Sequence, residues 1–119
     1  IAAAANERDA CILADIFHLF RGGSGFDALS LVSGRVLEII HMNDYPGSKP
    51  ANEQNDSDRV FPGDGVAPLK QVLRDLKAMG GTKVLSLELF NKTYWAQDPL
   101  VVAKTGLQKM KSLVNEMAG

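Results

Sequence analysis

Three short apolar runs, each ending at a side chain able to bind a metal, constrain this chain more than any other feature. Residues 11–14 lead to Asp15, the run VLEII over 36–40 leads to His41, and KVLSL over 83–87 leads to Glu88. Runs of this length and β-branched content suit strands. Between and after them the spacing becomes helical. Val66, Leu69, Val72, Leu73, Leu76 and Met79 form one apolar face, with Pro68 in the first turn and Gly80-Gly81 as a stop. In the last segment Asp98 is an N-cap and Pro99 the first helical residue. Leu100, Ala103, Leu107, Met110, Leu113, Val114 and Met117 then recur every three or four residues, predicting a helix that runs nearly to the C-terminus. A shorter helix is expected over 26–32, ended by Ser33-Gly34, and residues 1–7 read as the tail of a helix. Strands alternating with helices imply parallel strands joined by right-handed crossovers, which makes the fold class α/β. The connection from Met42 to Gly65, rich in Asn, Asp, Pro and Gly, exceeds the roughly 2 to 6 residues usual between strand and helix, and such loops commonly carry function.

Active sites in parallel α/β folds are built at the carboxyl ends of the strands, where Asp15, His41 and Glu88 stand. Period-two alternation puts Leu13, Ile39 and Ser86 on the same face as these three, so in a closed barrel they would ring the top of the interior. Two carboxylates and an imidazole form a fairly hard donor set that suits Mn²⁺, Zn²⁺, Co²⁺ or Mg²⁺ and disfavours copper or iron-sulfur chemistry. Each residue alone has an ordinary reading as well. An Asp at a strand end starts turns, and a His after an apolar run is commonly a buried hydrogen-bonding partner. The threefold repetition sets the metal reading level with these.

At 119 residues, 45% hydrophobic and 23% charged, the chain suits one soluble domain at most, spanning 1–119. Thirteen Lys plus Arg against 14 Asp plus Glu, with no basic run, leave no electrostatic footprint for nucleic acid or anionic lipid. The single cysteine, Cys11, excludes an intrachain disulfide and fits a reducing compartment, so a cytoplasmic location is expected. The opening IAAAANERD has neither the length of a membrane span nor the layout of a signal peptide. Lacking a starting methionine, it reads as a piece of something longer.

The strings DIFHLFRGG at 15–23, HMND at 41–44, DRVFPGDG at 58–65 and SLELFNKTYW at 86–95 closely resemble the sugar phosphate isomerase/epimerase barrels of the xylose isomerase-like superfamily, and within it the inosose (2-keto-myo-inositol) isomerase branch. The resemblance covers about residue 8 to residue 117 and is more specific for the superfamily than for a substrate. It implies the C-terminal part, the last three strand-helix units, of a (β/α)8 TIM barrel of about 250 residues. It further implies that Asp15, His41 and Glu88 hold a divalent metal whose fourth ligand, a glutamate from an earlier strand, has no counterpart here. His18, in an Asp-x-x-His motif, is implied to face a bound sugar, and Arg59 to reach the substrate from the long loop. Position 64, often Glu in the family motif, is Asp64, which leaves the turn intact but puts any role for that carboxylate in doubt.

The implied chemistry is metal-dependent isomerisation or epimerisation of a sugar, sugar phosphate or inosose. A divalent cation bridging a carbonyl and its neighbouring hydroxyl stabilises the enediolate formed when the carbon-bound proton leaves, and Glu88 is the candidate for that proton transfer. A dehydratase of the same barrel family is the alternative within enzymes. Apurinic endonucleases share the fold but need further ligands and a basic DNA face, and only His18 and His41 are present. From another class comes an inert barrel fragment: three parallel strands cannot close a barrel, so open edges predict self-association and little turnover by this chain alone. Five neighbouring features have simpler readings. Gly22-Gly23 and the turn 62–65 follow no phosphate-binding pattern. Tyr94 and Trp95 cap the site or pack its rim, Asp44 orients the loop or His41 or simply forms a turn, and Cys11 faces the barrel interior as a small hydrophobe.

Overall fold

The computed structural model, which describes residues 1–118, turns the three apolar runs into three parallel strands in the order β1 (Ile12–Asp15), β2 (Leu37–Met42) and β3 (Val84–Leu87). Asp15 lies level with His41, and His41 level with Ser86, so the polar strand ends meet along one edge of the sheet. Five α-helices accompany them among the described residues: α1 (Ala2–Ala5), α2 (Ile16–Arg21), α3 (Leu69–Ala78), α4 (Lys92–Trp95) and α5 (Pro99–Ala118). Each crossover returns the chain to a parallel neighbour, as the alternation of elements requires.

Helices α3 and α5 form where the apolar spacing predicts them. Leu69, Val72, Leu73 and Leu76 of α3 are buried, and Gly80 at φ 74° follows its end. In α5 the Asp98 carboxylate accepts the Leu100 and Val101 amides at 2.8 and 3.2 Å, satisfying two orphan donors of the first turn. Two departures have local causes. The helix expected over 26–32 is a 3-10 turn, Asp27–Leu31. It buries a single residue, Leu29, and lacks a side-chain cap, so little favours a full α-helix. Helix α2, which the spacing did not single out, starts at once after β1 because Asp15 both ends the strand and caps the helix.

The core lies between one face of the sheet and the helices. Ala14, Ile40 and Met42 from the strands meet Ile16, Phe17, Val72, Leu73, Leu76, Met110 and Leu113. Helix α5 comes flush onto β3 at Gly106, where a Cβ would overlap the Leu87 side chain. On the opposite face alternation exposes Leu13 and Val84, at 46% and 55%, the side that would face a barrel interior. Cys11 is exposed. At the foot of β2 the pairing skips from Ile12–Leu37 to Leu13–Ile39. This bulge lets Leu37 reach the core at 0% exposure while Glu38 stays out. No helix among the described residues is long and apolar enough to cross a membrane.

Candidate metal centre

Asp15 is buried at 6% exposure and its carboxylate accepts the His18 backbone amide at 3.1 Å. His41 projects from β2 with Nδ1 3.4 Å from Asp15 Oδ2 and 3.1 Å from Glu88 Oε2. Glu88 stands one residue past β3, where its backbone N–H still donates to the Met42 carbonyl at 3.1 Å. One ligand atom from each of the three lies within 4.8 Å of the others. Zinc ligands at about 2.0–2.2 Å from the ion stand roughly 3.4 Å apart in a tetrahedral shell, so the side chains present fit a small divalent ion, with two hard oxygens and one imidazole nitrogen as donors.

Arg59 brings the loop to the same place. Its side chain is 1% exposed, and Nη1 donates to Asp15 Oδ2 at 3.1 Å and to Glu88 Oε2 at 2.7 Å. Nη2 donates to Asp56 Oδ1 at 2.6 Å and lies 3.2 Å from His18 Nε2. Because a guanidinium cannot accept, that His18 nitrogen must be the acceptor. The guanidinium carbon sits 4.9 Å from the Phe17 ring centroid and 5.1 Å from that of Phe90, a cation between two aromatic faces. Burial pulls the Arg59 pKa down, but Asp56, Asp15 and Glu88 outweigh it and hold the group above its ordinary value, so it stays charged. Burial likewise pushes Asp15 up. The His18 amide, the Glu88 side chain, Arg59 and Asn43 more than offset this, and the carboxyl ends below its usual value.

The structure thus gathers all five residues singled out in the sequence, Asp15, His41, Glu88, His18 and Arg59. It adds one that the sequence did not mark, Asn43, and gives Asp44 the loop-orienting role that was one of its readings. Asn43, fully buried, points Nδ2 at both oxygens of Asp15, at 3.4 and 3.3 Å, and at the Glu88 carbonyl at 3.4 Å. Such outer partners orient metal-ligating carboxylates. Its place two residues after His41 is a period-two signal that was available. Asp44 orders the loop: its carboxylate accepts the amides of Tyr45 and Ala67 at 2.8 Å, Gly63 at 3.0 Å and Gly65 at 3.1 Å. Gly65 is required by close approach, since a Cβ there would overlap the Tyr45 carbonyl and the Asp44 carboxylate. Paired backbone bonds of 3.0 Å between Asp44 and Val60, and an Asn91 bond of 3.0 Å to the Arg59 carbonyl, seat Arg59 itself. Tyr94 stacks on Phe61 with centroids 4.2 Å apart, a packing role, while Trp95 is exposed.

A sequence profile of the Xylose isomerase-like TIM barrel matches residues 2–113. The chain belongs to this family. Among curated relatives, the inosose isomerase of Bacillus velezensis is 31% identical over 102 residues, covering 86% of this chain and 36% of its own length. The inosose isomerase of Bacillus subtilis is 32% identical over 102 residues, with 83% and 36% covered. In three dimensions the crystal structure of the IolI protein with a zinc atom bound superposes with a TM-score of 0.88 at 28% identity, covering 98% of this chain and 41% of that one. The chain therefore spans little more than a third of the length of the curated relatives it matches, and its three-stranded parallel sheet is part of a xylose isomerase-like barrel.

Proposed function

We propose that the protein to which this chain contributes is a metal-dependent isomerase or epimerase of a sugar or inosose, acting by proton abstraction beside a carbonyl. The observation that carries the reading is the convergence of Asp15, His41 and Glu88, three ligand atoms within 4.8 Å of one another at the carboxyl ends of three adjacent strands. The inosose isomerase relatives support the substrate class, and the zinc atom in the IolI structure supports a divalent ion. Asp15, His41 and Glu88 would hold Mn²⁺, Zn²⁺, Co²⁺ or Mg²⁺, which when bound supplies Lewis acidity toward a carbonyl and its neighbouring hydroxyl.

The remaining work falls to side chains. Glu88, held at the strand end by its own backbone bond to Met42, is the carboxylate that removes the carbon-bound proton. Returning it to the adjacent carbon, with the hydroxyl proton passing to the former carbonyl oxygen, gives isomerisation, whereas epimerisation needs a second acid–base group on the opposite face of the same carbon. His18, exposed beside the triad with Nε2 engaged by Arg59, presents Nδ1–H as a donor to a substrate oxygen. Arg59, charged and fixed between two rings, contributes positive potential where negative charge develops on the substrate.

The test is calorimetric titration of the chain with Mn²⁺ and Zn²⁺ beside Asp15→Ala, His41→Ala and Glu88→Ala. One-to-one binding weakened in all three variants is expected. Binding that survives all three changes, or no binding at all, rejects the metal site.

A further inference from the structure

Asp15 Oδ2 and Glu88 Oε2 each face two side chains at once in this fold. They are the oxygens that His41 Nδ1 faces at 3.4 and 3.1 Å, and the oxygens that Arg59 Nη1 bridges at 3.1 and 2.7 Å. One oxygen of each candidate carboxylate ligand is therefore tied to a guanidinium nitrogen that belongs to the chain itself. We propose that Arg59 is a built-in counter-cation of the metal centre: it holds Asp15 and Glu88 together by their metal-facing oxygens and competes with the divalent ion for them. The inference rests on the metal reading above and concerns what sets the affinity of that site.

Three observations carry it. First, the contact is a built one. Arg59 is 1% exposed, clamped between Phe17 and Phe90 and tethered through Nη2 to Asp56. Its backbone is pinned by Asn91 and by the Asp44–Val60 bridge, so the guanidinium is delivered to the carboxylates rather than drifting onto them. Second, the two carboxylates need a positive partner to lie this close, because like charges with ligand atoms within 4.8 Å of one another, Asp15 buried and Glu88 half-buried, repel. Lys49 pairs with Asp58, Lys70 with Glu116 and Lys109 with Asp64. Among the described residues Arg59 is the cation bonded to both Asp15 and Glu88. Third, only one edge of the guanidinium faces the metal ligands. Nη2 has its own partners in Asp56 and His18, so Nη1 can give up its two bonds while the rest of the group stays in the sandwich. Arg59 is on this account a positioning residue for the ligands, and ion binding exchanges Nη1 for the metal at Oδ2 and Oε2.

A divalent ion must then displace two charge-assisted hydrogen bonds before it gains its ligands. Replacing Arg59 by Met, which keeps the apolar stem and has no charge, removes both the competition and the repulsion between the guanidinium and the ion. The experiment is calorimetric Zn²⁺ and Mn²⁺ titration of the full chain, of Arg59→Met and of Arg59→Lys, with thermal midpoints recorded at each metal concentration. Arg59→Met is expected to bind about tenfold more tightly than the parent, or about 1.4 kcal/mol, to melt lower without metal, and to recover more of its midpoint on saturation than the parent does. Arg59→Lys keeps the charge but cannot reach Asp56 and both carboxylates together, so it should fall between the two. It also decides the question if Arg59→Met does not fold. Unchanged or weaker affinity in the variant that folds overturns the proposal while leaving the metal site standing. Absence of binding by parent and variants alike removes the metal site and this inference together.

Discussion

The Asp44 carboxylate offers the sharpest test of how the site is supported. It is 1% exposed and accepts four backbone amides, from Tyr45, Gly63, Gly65 and Ala67, at 2.8 to 3.1 Å. Asp44→Ala strips all four donors of their partner in a region too closed for water to replace it fully. A net hydrogen bond contributes about 1 kcal/mol, and one to a charged group about 1.5–3 kcal/mol. At the charged-group figure four of them sum to at least about 6 kcal/mol, from which relaxation of the loop and water reaching the exposed Gly63 amide subtract, so a loss of roughly 3–4 kcal/mol is expected. Asp44→Asn retains Oδ1 for Tyr45 and Ala67 but turns an NH2 toward the Gly63 and Gly65 amides. It should lose about half as much, or roughly 2 kcal/mol. Urea unfolding followed by the fluorescence of Trp95, with both variants fitted to a common slope, measures the difference. A cost below about 1 kcal/mol for Asp44→Ala would refute the argument, because it would mean that the loop keeps its shape without the carboxylate.

Two further outcomes follow from the same structure. Asp58, held below its ordinary pKa by the Lys49 ammonium and then by the Asn55 amide, contributes stability that is complete above the ordinary value of 3.8 and fades as pH falls through the lowered one. An acid-unfolding profile of Asp58→Asn should therefore converge on that of the parent at the acid end and lie below it near neutrality, and parallel curves would refute the pairing. The open edges β1 and β3, with Leu13 and Val84 exposed on one face, should make the 12.8 kDa chain sediment as a larger species that Leu13→Lys with Val84→Lys returns toward the monomer mass. A monomeric parent would show that the edges are protected.

What could be read in advance followed the range over which each signal acts. Strand ends were legible because an apolar run that stops at a polar side chain is a local pattern, and α3 and α5 because Leu69 to Leu76 and Met110 to Leu113 repeat with the helix. Helix α2 was obscured by the double duty of Asp15, which leaves no gap between strand and helix. The bulge at Glu38 was invisible for a different reason: an apolar run with one charge inside it reads as simple alternation until a neighbour fixes the pairing. The gathering of Arg59 onto Asp15 and Glu88 depends on contacts 44 and 29 residues apart in the chain. The motif around Arg59 pointed to the site, but only tertiary structure could show that its guanidinium is buried against two rings and bonds to Asp15 Oδ2 and Glu88 Oε2. Asn43 carries no such mark, because an Asn in a strand-to-loop step has an ordinary turn reading.

The bulge at the foot of β2 also has a bearing on how such a site tolerates change. Below it Leu37 faces the helices, and above it Ile39 resumes the alternation that leaves His41 beside Asp15 and Glu88. The extra residue is absorbed at the end of the strand remote from His41, where barrels keep their stability rather than their chemistry. A one-residue slip at the other end would swing the imidazole through the sheet to the apolar side. The strand thus works as a ruler with its slack confined to one end. Length variation at the base of β2 can be accommodated there without moving His41, whereas an insertion between Ile39 and His41 would dismantle the triad in a single step.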